Sequence, residues 1–233
     1  GDCQGCSACC RGMGTSIVLD PLDIFRLTTQ LEMTFEQLLQ KYAELNVVDG
    51  VILPNLKMTG AEEACAFLNA EGRCSIHPHR PGICRLFPLG RYYENHRFQY
   101  FLQIHECPKE PKTKVKVKKW IDTPELKKNE QFINAWHDFI LEMQDRLLKL
   151  GDEKTSRESN LYLLQEFFLT PYEKERTFYE QFGSGLLFRS WEDRMLGLNN
   201  AVMGARFTYN YKNIVRLKAI WGTPRFGMDF SDT

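Results

Sequence analysis

The chain has 233 residues, with 30 basic and 30 acidic side chains and a hydrophobic fraction of 43%. That composition excludes a disordered or fibrous chain and supplies enough apolar surface for a core without disulfides. Balanced charge argues against a global pull toward nucleic acid or an acidic membrane, and no apolar run approaches the roughly 18 residues of a membrane span.

In chain order, residues 1–14 read as a loop rich in cysteine and glycine. Asp20 before Pro21 is an N-cap followed by a first-turn proline, and predicts a helix over 21–32. Thr34-Phe35-Glu36-Gln37 is a capping box that opens a second helix over 35–45. Valines and leucines around Asp49-Gly50 predict a hairpin within 46–60. Residues 61–95 carry Cys65, Cys74, Cys84, His77 and His79 and read as a loop organised by metal. Arg97 to Ile104 predicts a strand. The lysine-rich stretch 109–119 reads as a boundary, its alternating lysines fitting an exposed strand edge. Thr123-Pro124 then predicts the start of a long helix that Gly151 ends. A helix over 157–169 and another from Thr170-Pro171 to about Gly183 follow, with one or two more expected in 185–220.

All eight cysteines lie between Cys3 and Cys107. They are spaced Cys3-x2-Cys6-x2-Cys9-Cys10, then Cys65, Cys74, Cys84 and Cys107. Tandem CxxC steps bring thiolates to one side of a tight loop, the chemistry of zinc or iron–sulfur sites. Disulfides compete, but a CxxCxxCC cluster is a poor disulfide layout. Eight thiolates divide into two sets of four. Adjacent side chains tend to diverge, so Cys9 and Cys10 are expected to serve different sites or a bridged pair of metals. One partition places Cys3, Cys6 and Cys9 with Cys107-Pro108, as in the bacterial ferredoxin run, and leaves Cys10, Cys65, Cys74 and Cys84 as a second site. With eight thiols available, His77, His79 and His105 are not needed as ligands. Arg80 and Arg85 flank Cys84, and either bind an anion, donate to cluster sulfurs, or hold the loop through carbonyl bonds. The aromatics of the second half, among them Phe167, Phe168, Tyr172, Phe178 and Phe188, fit a core or subunit interface.

Cys3-Gln4-Gly5-Cys6-Ser7-Ala8-Cys9-Cys10 resembles the signature of the YkgJ-type CxxCxxCC cysteine-cluster family. The blocks Asp23 to Leu27, Met33 to Glu36, Cys65 to Leu68, Gly72 to His77 and Arg80 to Pro88 resemble the family's later segments, and Cys107 its final cysteine. The resemblance covers about residues 1–110. It implies a chelated zinc, iron or iron–sulfur cluster, but no settled reaction. One branch, flagellin lysine-N-methylase, has a similar cysteine cluster and methylates protein lysines; the helical half here carries no motif of that branch, and no glycine-rich nucleotide loop follows a strand.

These readings together predict an α-rich α+β protein. A cysteine-cluster module over 1–110 has short helices and a few strands, and a helical region over 120–233 follows. The expected ligands are Cys3, Cys6, Cys9, Cys10, Cys65, Cys74, Cys84 and Cys107, with Arg80 and Arg85 beside them. The function expected is that of a cytoplasmic metal-binding protein with an iron–sulfur cluster in a redox or modification role. A zinc-stapled interaction module and a protein lysine methylase are the alternatives. The partner is an unidentified protein or small-molecule substrate, nucleic acid and membrane are argued against, and the helical half offers a surface for self-association.

Overall fold

The computed structural model describes residues 6–108 and 114–183. Two compact units divide the chain, Gly1–Tyr179 and Glu180–Thr233, and nearly all of the second lies outside the described residues. The expected helices of 185–220, with Phe188, lie there too.

Helix α1 spans Pro21–Leu31. Its capping box is closed by two acids: Asp20 Oδ1 accepts the Asp23 amide at 2.8 Å, and Asp23 Oδ2 accepts the Asp20 amide at 3.3 Å. Leu22, Ile24 and Leu27 face inward and are buried. Helix α2, Phe35–Lys41, opens on the Thr34–Gln37 capping box. It ends four residues before the expected limit because Ala43–Val48 (β1) pairs antiparallel with Val51–Leu56 (β2). The two residues between the strands, Asp49 and Gly50, both take positive φ (49° and 82°), the requirement of a tight hairpin turn that follows strand twist.

Met58–Thr59 (β3) pairs with Ala64–Cys65 (β4). Helix α3, Gly82–Leu86, then leads into a second hairpin, Leu89–Glu94 (β5) with Arg97–Leu102 (β6). The sequence reading finds β6 but leaves β5 in a loop. The turn here is Asn95-His96, with φ of 51° and 59°, and it lacks the glycine that marks the first hairpin turn.

The end of the lysine-rich stretch forms the short helix α4, Val117–Ile121. Helix α5 runs over Leu126–Leu150 and starts later than Thr123-Pro124 predicts. Asp122 and Glu125 turn the chain through left-handed conformations, and the Thr123 hydroxyl bonds the Ile121 carbonyl instead of capping an amide. Helix α6, Glu153–Leu164, starts early because Asp152 Oδ2 accepts the Thr155 amide at 2.8 Å. A π-turn over Gln165–Leu169 then widens the chain and turns Phe167 and Phe168 both inward. Phe167 packs edge-on to Trp136 at 5.0 Å, and Phe168 stacks on Phe35 at 5.7 Å. Thr170-Pro171 does not start a helix: Thr170 Oγ1 donates back to the Gln165 carbonyl at 2.8 Å, and α7 begins only at Phe178, spanning Phe178–Gly183.

Helix outweighs three small two-stranded antiparallel sheets among the described residues, giving the expected α-rich α+β class. No helix among them is long and apolar enough to cross a membrane. Within the first unit, the helical segments fasten the hairpins. Asn160, 3% exposed, accepts from the Ile52 amide at 2.7 Å and donates to the Gly50 carbonyl at 3.0 Å. Tyr93 stacks on His137 at 3.6 Å, and Tyr100 donates to Glu130 at 3.1 Å. Removing Asn160 takes away the partner of the part-buried Ile52 amide and of the Gly50 carbonyl at the hairpin turn, so Asn160→Ala is expected to cost about 1–2 kcal/mol. A urea denaturation midpoint within experimental error of the parent would refute that role.

Candidate metal centre

Backbone pairing, rather than sequence proximity, assembles the cysteines. A 3₁₀ turn over Ala8–Cys10 carries Cys9 and Cys10. Arg11 then bridges Ala64 and pairs with Glu62, and the Gly12 amide donates to the Glu63 carbonyl at 3.0 Å. This seats the first loop beside Cys65. A bridge between Leu68 and Cys74, with the Ser75 amide donating to the Phe67 carbonyl at 2.9 Å, folds Cys74 back toward Cys65. Cys84 arrives on α3, whose Gly82 amide donates to Asp23 Oδ1 at 2.8 Å. Asp23 is 2% exposed, so α1 grips the Cys84 turn through a buried carboxyl.

Cys6, Cys9, Cys10, Cys65, Cys74 and Cys84 line one cavity of about 700 Å³. Cys107 is half-buried and follows Glu106, which lines the same cavity; Cys3 lies outside the described residues. The seven described cysteines are free thiols. Cys9 and Cys10 sit at adjacent positions of the 3₁₀ turn. The neighbouring Cys10 thiol, helped by the Arg80 charge, pulls Cys9 below the ordinary thiol value, whereas Cys9 and burial push Cys10 above it. Burial raises Cys65, Cys74 and Cys84, and neighbouring sulfurs raise them further. Two amides aim at sulfur: Phe67 N–H at Cys65 and Ile76 N–H at Cys74.

A family model described as "Putative zinc- or iron-chelating domain" matches residues 2–120. The chain belongs to the CxxCxxCC family. A family of unknown function matches residues 176–233. No curated protein and no solved structure matches the chain.

The donor set of this CxxCxxCC domain fits the zinc or iron that its family description names. Gathered thiols resist ionisation together, and a bound cation removes that penalty. The amides at Cys65 and Cys74 stabilise thiolate, as they do around metal-bound sulfur. Among the described residues, however, no group of three or more Cys, His, Asp or Glu side chains is arranged to hold a single ion. The sulfurs ring a space.

The two arginines flagged in the sequence separate. Arg80 lines the cavity and donates to His77 Nε2 at 2.7 Å. Partial burial, then the Arg80 charge, keep His77 below its ordinary value, as a neutral acceptor. Arg85 instead donates to the carbonyls of Pro78 and of Asp122, the latter at 3.1 Å, and so ties the Cys84 turn to the end of α4. His77 lines the cavity, whereas His79 and His105 are not among its lining residues.

Two residues escape the sequence reading. Asp23 is legible as a helix acid but not as the partner of Gly82, a contact spanning 59 residues. Arg91 also lines the cavity. The signal that could have found it is the strand alternation of Leu89 to Glu94, which puts Arg91 and Tyr93 on one face.

Proposed function

We propose that the cavity holds an iron–sulfur cluster on cysteine thiolates, and that the protein uses it in redox or modification chemistry on a protein or small-molecule partner. What carries this reading is six thiols from four separate segments around one cavity far wider than a single ion coordinated at about 2.3 Å needs. The ferredoxin-like spacing of Cys3, Cys6 and Cys9 points the same way. Cys3 and Cys107 complete the set of eight in this reading. In this reading residues 1–110 form the metal module, and helices α4, α5 and α6 brace it. When bound, the cluster supplies electron transfer. The chain's own residues exclude water with Phe67, Ile76 and Leu86, offer amide N–H groups to Cys65 and Cys74, and place the Arg80 charge beside Cys9 and Cys74.

An anaerobically purified sample is expected to be brown, with absorption near about 400 nm that dithionite bleaches. A colourless sample carrying about two zinc ions per chain would replace this reading with the zinc-stapled module.

A further inference from the structure

Among the described residues, hairpin β5–β6 is a sheet of two strands, so each strand keeps an outer edge. The two edges differ. Leu89, Gly90, Arg91 and Tyr93 of β5 line the cysteine cavity, and no residue of β6 does. The phase of the hairpin's hydrogen bonds decides which groups lie on the β6 edge. The two-residue turn makes Glu94–Arg97 a bonded pair, and the Gln103 amide donates to the Pro88 carbonyl at 3.0 Å. Residues 97, 99, 101 and 103 therefore bond inward, and the N–H and C=O groups of Phe98, Tyr100 and Leu102 point out of the hairpin. Among the described residues none of these outward groups has a bonding partner. Helix α5 covers one face of the hairpin, through Tyr93 on His137 and Tyr100 on Glu130, but bonds no backbone group of β6. Phe101 and Leu102 are 47% and 51% exposed. The run 97–103 lacks the features that blunt an edge: it has no proline, no lysine and no acid, and Arg97 is its only charge. Its register with β5 is unbroken by a bulge.

An open edge of this kind templates pairing with another strand. Strand β6 matches a second copy of itself. Laid antiparallel about Tyr100, Phe98 faces Leu102 of the second copy and Tyr100 faces its own counterpart, so all three outward residues meet outward residues, with two bonds at each pair. Arg97 then faces Gln103 and Gln99 faces Phe101, so no like charges oppose each other. A chain without net charge adds no long-range repulsion toward its copy. The pairing uses the same edge of both chains and closes at two. We propose that the β6 edge joins two copies of this chain into a dimer through a continuous four-stranded sheet. This goes beyond the metal reading and does not rest on it.

Sedimentation velocity on the full chain as purified, with reductant present and over a dilution series reaching roughly 100 µM, tests this. A species of twice the chain mass is expected. Leu102→Pro deletes an outward N–H that the hairpin itself does not use, and the twofold makes that two lost bonds, so the dimer is expected to weaken at least about tenfold. A charge swap checks the register. Gln99→Lys with Phe101→Lys sets lysines opposite each other across the joint, whereas Gln99→Lys with Phe101→Glu sets opposite charges there. The first pair of changes is expected to give a dimer about tenfold weaker than the second, or weaker still. The proposal is overturned if the parent is a monomer at the highest concentration, if a folded Leu102→Pro protein dimerises as tightly as the parent, or if the two double variants dimerise equally. If a variant does not fold, amide exchange in the parent decides. The Phe98, Tyr100 and Leu102 amides should exchange more slowly as concentration rises, and exchange independent of concentration overturns the proposal.

Discussion

Cys65→Ser and Cys74→Ser are each expected to lower metal affinity by more than about 100-fold, because even partners behind the ligands cost about 10–100-fold when removed. Both cysteines line the cavity, both receive an amide N–H, and both act electrostatically on Cys10. Cys107→Ser is expected to cost less, since Cys107 is not among the lining side chains while its neighbour Glu106 is. Metal quantitation after gel filtration, with competition by a chelator, reads the order. If Cys107→Ser empties the protein while Cys74→Ser stays loaded, the shared-cavity account of Cys9, Cys10, Cys65 and Cys74 is wrong. The same series tests the ferredoxin-like partition. The influence of Cys9 and Cys10 on each other's ionisation fits a joint or bridged centre better than two sites far apart.

Asp23→Ala is expected to produce the largest loss of stability from a residue that is no cysteine. The buried carboxyl accepts from the part-buried amides of Gly82 and Asp20, and its loss leaves both without that partner at about 1–2 kcal/mol each. A total near about 3 kcal/mol is expected, along with release of the Cys84 turn and weaker metal retention. Asp23→Asn keeps one acceptor oxygen for Gly82 and presents an amide toward the Asp20 N–H, so it should fall between the parent and Asp23→Ala. The variant also carries a pH signature. Burial holds the Asp23 carboxyl above the ordinary carboxylate range. The folded chain therefore keeps a proton that the unfolded chain loses, and stability falls as pH rises above about 4. Asp23→Asn should flatten part of that fall, the rest belonging to Asp20, which is raised as well. Thermal melts of parent and variant between about pH 4 and 7 check it. Parallel curves would show that Asp23 is ionised in the fold like any surface acid.

Features written locally were legible in the sequence. The capping boxes of α1 and α2 need only three or four residues, and Asp49-Gly50 needs only two to close a hairpin. Boundaries set by tertiary contact were not. Thr123-Pro124 is a sound local start for a helix. Yet the chain there is anchored by Trp120 Nε1 donating to the Phe87 carbonyl at 3.1 Å and by Arg85 donating to the Asp122 carbonyl. The turn between those anchors and α5 falls where packing allows. At the site, spacing identified the sulfurs, since CxxCxxCC is a pattern with few other uses. It could not show which sulfurs share a wall, because bridges such as Arg11 to Ala64 and Leu68 to Cys74 decide that. Nor could it separate Arg80 from Arg85. Both flank Cys84, but only the folded chain shows one lining the cavity and the other spent on carbonyls.

Iron, zinc and acid-labile sulfide measured per chain on anaerobically purified protein test the central claim most directly. The account predicts iron and sulfide in near-equal amounts, lost together in Cys74→Ser, with little zinc. Zinc without sulfide, or no metal at all in a folded protein, would contradict it.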